Sequence, residues 1–309
     1  MIRFFIQRAI RSIVTLWIVV TAVFFVLRLS GDPATTMLGP EATQQAIDAF
    51  RKKHGLDENL LEQYLLYIRN LLTGDFGVSM QYDRPVSELF AQRLPATLEL
   101  GFWALIIAVV IGVPMGVFAA LRHNTPFDRS AMFIAFIGQS APGFFVGIML
   151  ILIFSLQLNW LPSSGRGEPL QLVMPVFTLA TGLLASLARM TRSSVLEVSH
   201  ADYIRTARAK GLSYRSVVVQ HMLRNASLPV VTMLGLWVSA IIGGAAITET
   251  VFAWPGVGRL IVDAVSSRDY PIVQSLVLLI AATVILVNLV VDFAYSWLDP
   301  RISVTGGKS

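Results

Sequence analysis

LGFWALIIAVVIGVPMGVFAAL, running from Leu100 to Leu121, carries no charge between Glu99 and Arg122. Its length meets the need for about 20 mostly apolar residues in a helix that crosses the hydrocarbon core of a bilayer. Working outward, five further stretches read the same way. They are about Ile13 to Leu29, a helix at about Met132 to Leu156 inside the uncharged run from Ser130 to Gly165, and the runs Glu168 to Arg189, Arg224 to Glu249 and Asp269 to Asp292. Arg28 lies near enough to the far end of the first for its side chain to snorkel to the interface. Internal prolines and glycines do not veto these spans, because neighbours in a bundle satisfy a locally broken backbone. The expectation is an all-α membrane protein with six transmembrane helices.

Bulk composition agrees. Of 309 residues, 55% are hydrophobic and 14% charged, against roughly 25% charged in a soluble domain, and the mean hydropathy is +0.66. Too little polar surface remains to clothe a water-soluble core, and intrinsic disorder is excluded. The absence of cysteine excludes a disulfide framework, a thiolate metal site and a cysteine nucleophile. The net charge of +5 follows from topology rather than nucleic-acid binding. Arg3, Arg8 and Arg11 precede span one, Arg122 and Arg129 follow span two, and seven basic residues from Arg189 to Arg224 face only Glu197 and Asp202. The alternate short loops hold Arg166, Arg259 and Arg268 among several acids. The lysine and arginine bias therefore predicts both termini in the cytoplasm and span one as a retained signal anchor.

Between spans one and two, Ser30 to about Thr97 forms an acid-leaning insertion. In Asp57 to Leu72, Asp57 is placed to cap a helix, and Leu60, Leu61, Tyr64, Leu65, Ile68 and Leu72 share one apolar face expected to pack on the membrane domain. A second amphipathic piece, Val86 to Leu94, leads through Pro95 into span two as an elbow at the membrane surface. Asp292, near the inner end of span six, is costly against lipid and is expected to pair with Arg189 or Arg192. Gly112/Gly116 and Gly143/Gly147 permit close helix approach.

The loop between spans four and five reads Glu197-Val-Ser-His-Ala-Asp-Tyr-Ile-Arg-Thr-Ala-Arg-Ala-Lys-Gly211. Helical spacing puts Tyr203, Ile204 and Ala207 on one face and Arg205 and Arg208 on another, with Gly211 as a C-terminal stop and Ser213 as cap of the next helix. Two readings stand on these residues: an interfacial helix facing lipid headgroups, and a docking helix in which small alanines beside an aromatic anchor suit a close-fitting groove.

DYIRTARAKGLS at Asp202 to Ser213, followed by HMLRNASLPVVT at His221 to Thr232, resembles the EAA loop of type I ABC importer permeases, in particular the B-type subunits of dipeptide, oligopeptide, nickel and glutathione importers. LRLSGDPA at Leu27 to Ala34, GDFGVSM at Gly74 to Met80, ARMTRSSVLEV at Ala188 to Val198, TETVFAWPGVGRL at Thr248 to Leu260 and RDYP at Arg268 to Pro271 extend the resemblance over nearly the whole chain. One departure stands out: Arg205-Thr206-Ala207 precedes Gly211 where the general pattern begins Glu-Ala-Ala, and Leu228-Pro229 lies farther along.

The resemblance implies the type I importer permease fold in the bacterial inner membrane, with a helical periplasmic insertion. It divides the chain into 1–97, a transmembrane domain 98–298 with coupling loop 189–225, and a tail 299–309. Asp202, Tyr203, Ile204, Arg205, Thr206, Ala207, Arg208, Ala209, Lys210 and Gly211 would form the coupling helix that docks in a separate ATPase. The implied partners are a second permease, two ATPases, a substrate-binding protein and membrane lipid. The implied cargo is a peptide or related small solute, nickel complexes included.

Trp254, Pro255, Gly256 and Gly258 read as a turn into a short re-entrant helix at the outer mouth, either a gate or a stable hairpin. Gln139, Ser140, Thr232, Ser239 and Glu249 are polar candidates for the pathway; for Glu249, pairing with Arg259 or Arg268 is the competing reading. No catalytic constellation or intrinsic metal site is visible, and Ile302 stands where the terminal Gly307-Lys308-Ser309 would need a P-loop glycine. ATP and Mg are thus expected in partner subunits and no cofactor in this chain. A secondary carrier or channel is the competing class, but the nearly uncharged span interiors and lack of an internal repeat argue against it, as the lack of catalytic residues argues against a membrane-embedded enzyme.

Overall fold

The computed structural model describes residues 2–298, with side chains from 10 to 289 apart from 239 and 242–244. Helix α1, Ile2–Leu29, contains the first span. Three short helices follow: α2, Pro33–Leu38, α3, Gln44–Lys53, and α4, Leu60–Leu72. Helix α5, Val86–Ile107, continues through a π-helical turn, Ala108–Gly112, into α6, Val113–Leu121. Next come α7, Pro126–Ser140, and α8, Gly143–Leu150, the latter extended by a π-helical segment Ile151–Gln157. The long α9, Pro169–Ser199, leads into α10, Asp202–Ala209, and then α11, Tyr214–Ser216, whose π-helical extension Val217–Leu223 runs into α12, Arg224–Gly244. Helices α13, Ala246–Val251, α14, Val257–Ser267, and α15, Tyr270–Leu298, complete the chain.

Four continuous helical stretches among the described residues are long and apolar enough to span a bilayer: Ile10–Leu29, Val86–Leu121, Pro169–Ser199 and Tyr270–Leu289. Helix α12 falls where the sequence places span five. The third expected span differs: instead of one helix over Met132 to Leu156, Pro126–Ser140 and Gly143–Gln157 meet at a bend of 101°. Pro142 is the cause, because it lacks an N–H and drives the preceding residue out of the helical region; Ala141 sits at φ −73, ψ 127. Pro95, by contrast, does not break its helix, so the expected elbow at Val86 to Leu94 is the start of the same continuous helix as span two.

The described residues fall into two compact units, one of residues 2–96 with 255–298, the other Thr97–Trp254. The segment from Pro255 groups with the N-terminal helices. Polar contacts explain that grouping. The Tyr270 hydroxyl donates to the carbonyls of Leu27, at 2.8 Å, and Gly31. The buried Asp269 carboxylate accepts from Ser79 Oγ at 2.6 Å and the Gln81 N–H at 3.0 Å, and Ser275 Oγ donates to the Phe76 carbonyl at 2.6 Å. Thus LRLSGDPA, GDFGVSM and RDYP, far apart in the chain, meet at one junction around an apolar cluster that includes Leu27, Val86, Leu260, Tyr270 and Leu276.

In this unit α4 packs on α1 through a face that shares Tyr64 with the expected one but is turned toward Gln63 and Tyr67. Tyr64 shares a hydrogen bond with Thr21 at 2.8 Å, Phe24 meets the rings of Tyr64 and Tyr67, and Gln63 Oε1 accepts from Arg28 Nε at 2.7 Å. Leu61, Leu65 and Leu72 are exposed, and the cap is Asn59 rather than Asp57, its side chain accepting from the Leu61 N–H at 2.8 Å. Ring stacking and a buried Gln–Arg bond outweigh the alignment of leucines in choosing which side turns inward.

The second unit is built around α9, which packs against α6, α7, α8 and α12. Glycine makes the α6–α9 contact possible: a Cβ on Gly112 would stand 2.8 Å from the Leu184 carbonyl, and one on Gly116 2.7 Å from Thr191 Cβ. Gly147 likewise faces Phe252 and Val251 closely, whereas a Cβ on Gly143 would meet open space. Small residues let backbones approach where lipid provides no hydrophobic drive between helices.

Candidate coupling site

Helix α9 ends at His200, and Ala201 turns the chain with extended backbone before α10. Asp202 in the first turn and Arg208 in the last complement the helix dipole. At the far end Gly211 takes φ +78, its N–H donating to the Arg208 carbonyl at 3.0 Å while Leu212 N–H reaches the Ala207 carbonyl at 3.3 Å. These two bonds are a Schellman motif, which favours glycine because a left-handed residue carries no Cβ penalty there. Ser213 then caps the next helix, its Oγ accepting from the Ser216 N–H at 3.3 Å. Local sequence therefore sets both ends of α10.

Packing sets its orientation. Ile204 is fully buried and Ala207 nearly so, among Ala120, Val195, Val217, Val218, Met222 and Ala226. Spaced three residues apart, the two lie on one face of the helix. Tyr203 is 45% exposed, and Asp202, Arg205, Thr206, Arg208, Ala209, Lys210 and Gly211 are all exposed. This corrects the expected face: Ile204 and Ala207 anchor α10 to its own chain, and Tyr203 with the basic residues points away. The Arg205–Asp202 contact, 3.5 Å on the surface, contributes little to stability.

A half-buried ion pair joins α7 to α9 in the same unit. Asp128, 2% exposed, binds Arg192 of α9 through two bonds, Nε to Oδ1 at 2.5 Å and Nη2 to Oδ2 at 2.8 Å, and also accepts from the Asn124 N–H at 3.0 Å. Thr125 caps α7. Asp292, the partner expected for Arg189 or Arg192, has its side chain outside the described residues. Arg189 donates to Gln139. Both arginines, with Gln139, Ser186, Ser193 and Met233, line a cavity of about 430 Å³ in the second unit.

The other candidates are dispersed. Ser140 and Thr232 are exposed, with Thr232 Oγ1 donating to its own helix at the Leu228 carbonyl, and the side chain of Ser239 lies outside the described residues. Glu249 is fully buried and accepts from Thr97 Oγ1 at 2.6 Å, while Arg268 donates to Thr36 Oγ1 at 2.9 Å. Trp254 is buried, with the Arg166 guanidinium 5.8 Å from its ring. Gly256 precedes α14, the short helix expected after the Trp-Pro-Gly turn, and Pro255 and Gly258 flank its start.

Residues 112–304 match the family described as binding-protein-dependent transport system inner membrane component, and residues 1–101 match its N-terminal companion. The chain belongs to this family. The permease is 45% identical over 303 residues to the glutathione transport system permease protein GsiC of Escherichia coli (strain K12), covering 98% of this chain and 99% of that one. The relative of the same name from Shigella dysenteriae serotype 1 (strain Sd197) matches equally. Among solved structures, an inward-facing MetNI methionine ABC transporter chain superposes with a TM-score of 0.58 at 22% identity, covering 69% of this chain and 97% of that one. An amino acid ABC transporter chain superposes at 0.51 with 22% identity, covering 70% and 95%. The protein is therefore a permease subunit of an ABC importer, a multi-pass component of the inner membrane.

The Asp128–Arg192 brace was missed in the sequence. Its one local signal was Thr125-Pro126-Phe-Asp128, a helix start with an acid in the first turn, which says nothing of a partner 64 residues away.

Proposed function

We propose that the exposed face of α10 docks in a cleft of a separate ATPase subunit. The observation that carries this reading is the division of the helix: Ile204 and Ala207 tie it to α9 and the start of α12, leaving Tyr203, Arg205, Arg208 and Lys210 free for a partner. A surface helix anchored by two side chains moves as a rigid body with the helices it is fixed to. ATP-driven closure of two ATPases would thus pass to the membrane helices as a rotation. ATP and Mg belong to those partners, and this chain performs no chemistry.

In the same reading the permease pairs with a second, homologous one within the lipid bilayer, both termini facing the cytoplasm. It receives a peptide or a related small solute from a binding protein outside; the glutathione permeases at 45% identity favour a short peptide carrying free carboxylates. The Gln139–Arg189 cavity is the part of the pathway nearest the coupling site, and Trp254 to Gly258 lie at the outer mouth as a gate.

The test is ATP-driven uptake and ATP hydrolysis in proteoliposomes with the Tyr203→Ala/Arg208→Glu double variant. The expected outcome is a folded permease at normal yield with uptake reduced at least tenfold; unchanged uptake would refute the docking face.

A further inference from the structure

The junction of the first unit holds a half-open cavity of about 150 Å³, lined among others by Arg28, His54, Tyr67, Asp75 and Gln274. Three of these present buried polar atoms without a hydrogen-bond partner: Arg28 Nη1, the Tyr67 hydroxyl and Gln274 Nε2. Gln274 is 5% exposed. Each of the three atoms is a donor, and natural interiors seldom leave buried donors unpaired. Their shared lack is an acceptor.

Charge narrows the class of acceptor. Arg28 is held from its other side, its Nε donating to Gln63 Oε1 at 2.7 Å and its guanidinium lying 4.6 Å from the Phe24 ring centroid and 4.5 Å from that of Tyr270. Gln63 is itself fixed by donating to the carbonyls of Leu56 and Glu58, so it cannot turn away. Among the described residues Arg28 has no carboxylate in salt-bridge contact, and a half-buried cation with one nitrogen fully buried favours one. His54 adds no second charge at neutral pH, because burial and the neighbouring Lys53 hold its pKa below the ordinary imidazole value. The Asp75 carboxylate, accepting from the Gly77 N–H at 2.8 Å, repels a doubly charged guest more strongly than a singly charged one. One cation and two neutral donors suit a single negative charge with two oxygens.

We propose that this cavity is a binding site for a small carboxylate, held by Arg28 Nη1, the Tyr67 hydroxyl and Gln274 Nε2. The site is independent of the coupling reading and stands or falls without it. The carboxylate comes either from a free small acid or from the terminus of a peptide solute.

Thermal unfolding of the full importer in lipid nanodiscs at pH 7 tests the site, with acetate, chloride and phosphate compared at matched ionic strength, and a dipeptide compared with its C-terminal amide. A saturable rise in midpoint with acetate supports the site with a free acid as guest. A rise with the dipeptide and with neither its amide nor acetate supports it with the solute as guest. Tyr67→Phe should weaken the half-saturating concentration about tenfold, the scale of one hydrogen bond to a charged group, while leaving the acid-free protein as stable as before. Gln274→Glu would supply the missing carboxylate from within, raising the midpoint without acid and abolishing the response. Equal effects of acetate and chloride, a response to phosphate alone, or an unaltered response in both variants would overturn the proposal, leaving a cavity filled by water.

Discussion

The α10 loop and the junction of the first unit are both polar assemblies on a helical membrane protein, yet they are constructed in opposite ways. In the loop, the contacts that set the ends of α10 lie within a short span of sequence, and of the buried residues around Ile204 and Ala207 only Ala120 comes from far along the chain. The Schellman motif at Gly211, the Ser213 cap and the buried pair Ile204 and Ala207 all follow from neighbours three to five residues apart, and the packing partners Val195, Val217 and Val218 flank them closely. At the junction, Asp269 binds Ser79 across 190 positions and Tyr270 reaches Leu27 across 243. Local construction yields a helix with one face free for a partner; long-range construction yields a fixed block in which side chains act as struts.

That contrast predicts different responses to mutation. The largest loss is expected at the junction: Asp269→Ala removes a buried charged acceptor, leaves the Ser79 hydroxyl proton without its partner and should cost about 3 kcal/mol or more, seen as a lowered unfolding midpoint and reduced folded yield in detergent. Ile204→Ala in the loop should come next, at about 2–3 kcal/mol for a truncated buried side chain, with uptake falling in step with folded protein. Asn59→Ala removes only the cap of α4, worth about 1 kcal/mol, and the same midpoint measurement checks it. Arg205→Ala should leave the midpoint unmoved, since its ion pair with Asp202 is on the surface. A reversed order, with the loop more costly than the junction, would break the comparison.

How much could be seen in the sequence follows the same division. Spans declared themselves through length and lack of charge, and α10 through spacing, Gly211 and Ser213. The broken third span was misjudged because an apolar run reports burial and not direction, and only the preference of Ala141 before Pro142 carried the bend. The apolar spacing in α4 placed Tyr64 on the inner side but put exposed leucines beside it, because Phe24 and Arg28 on a distant helix select Gln63 and Tyr67 as well. Similarly, that Arg192 of α9 pairs with Asp128 of α7, 64 positions away, was fixed by the fold and not by any local pattern. The motifs at Leu27, Gly74 and Arg268 were visible as strings, but that they meet required three-dimensional structure.

The chain contains no cysteine, so a single introduced thiol reports its own surroundings. Tyr203→Cys and Ile204→Cys, compared for cross-linking to the ATPase subunit in native membranes, test the central claim directly. The account predicts a cross-link from position 203 and none from 204, which is fully buried within its own chain. No cross-link from 203, or equal cross-linking from both, would contradict it.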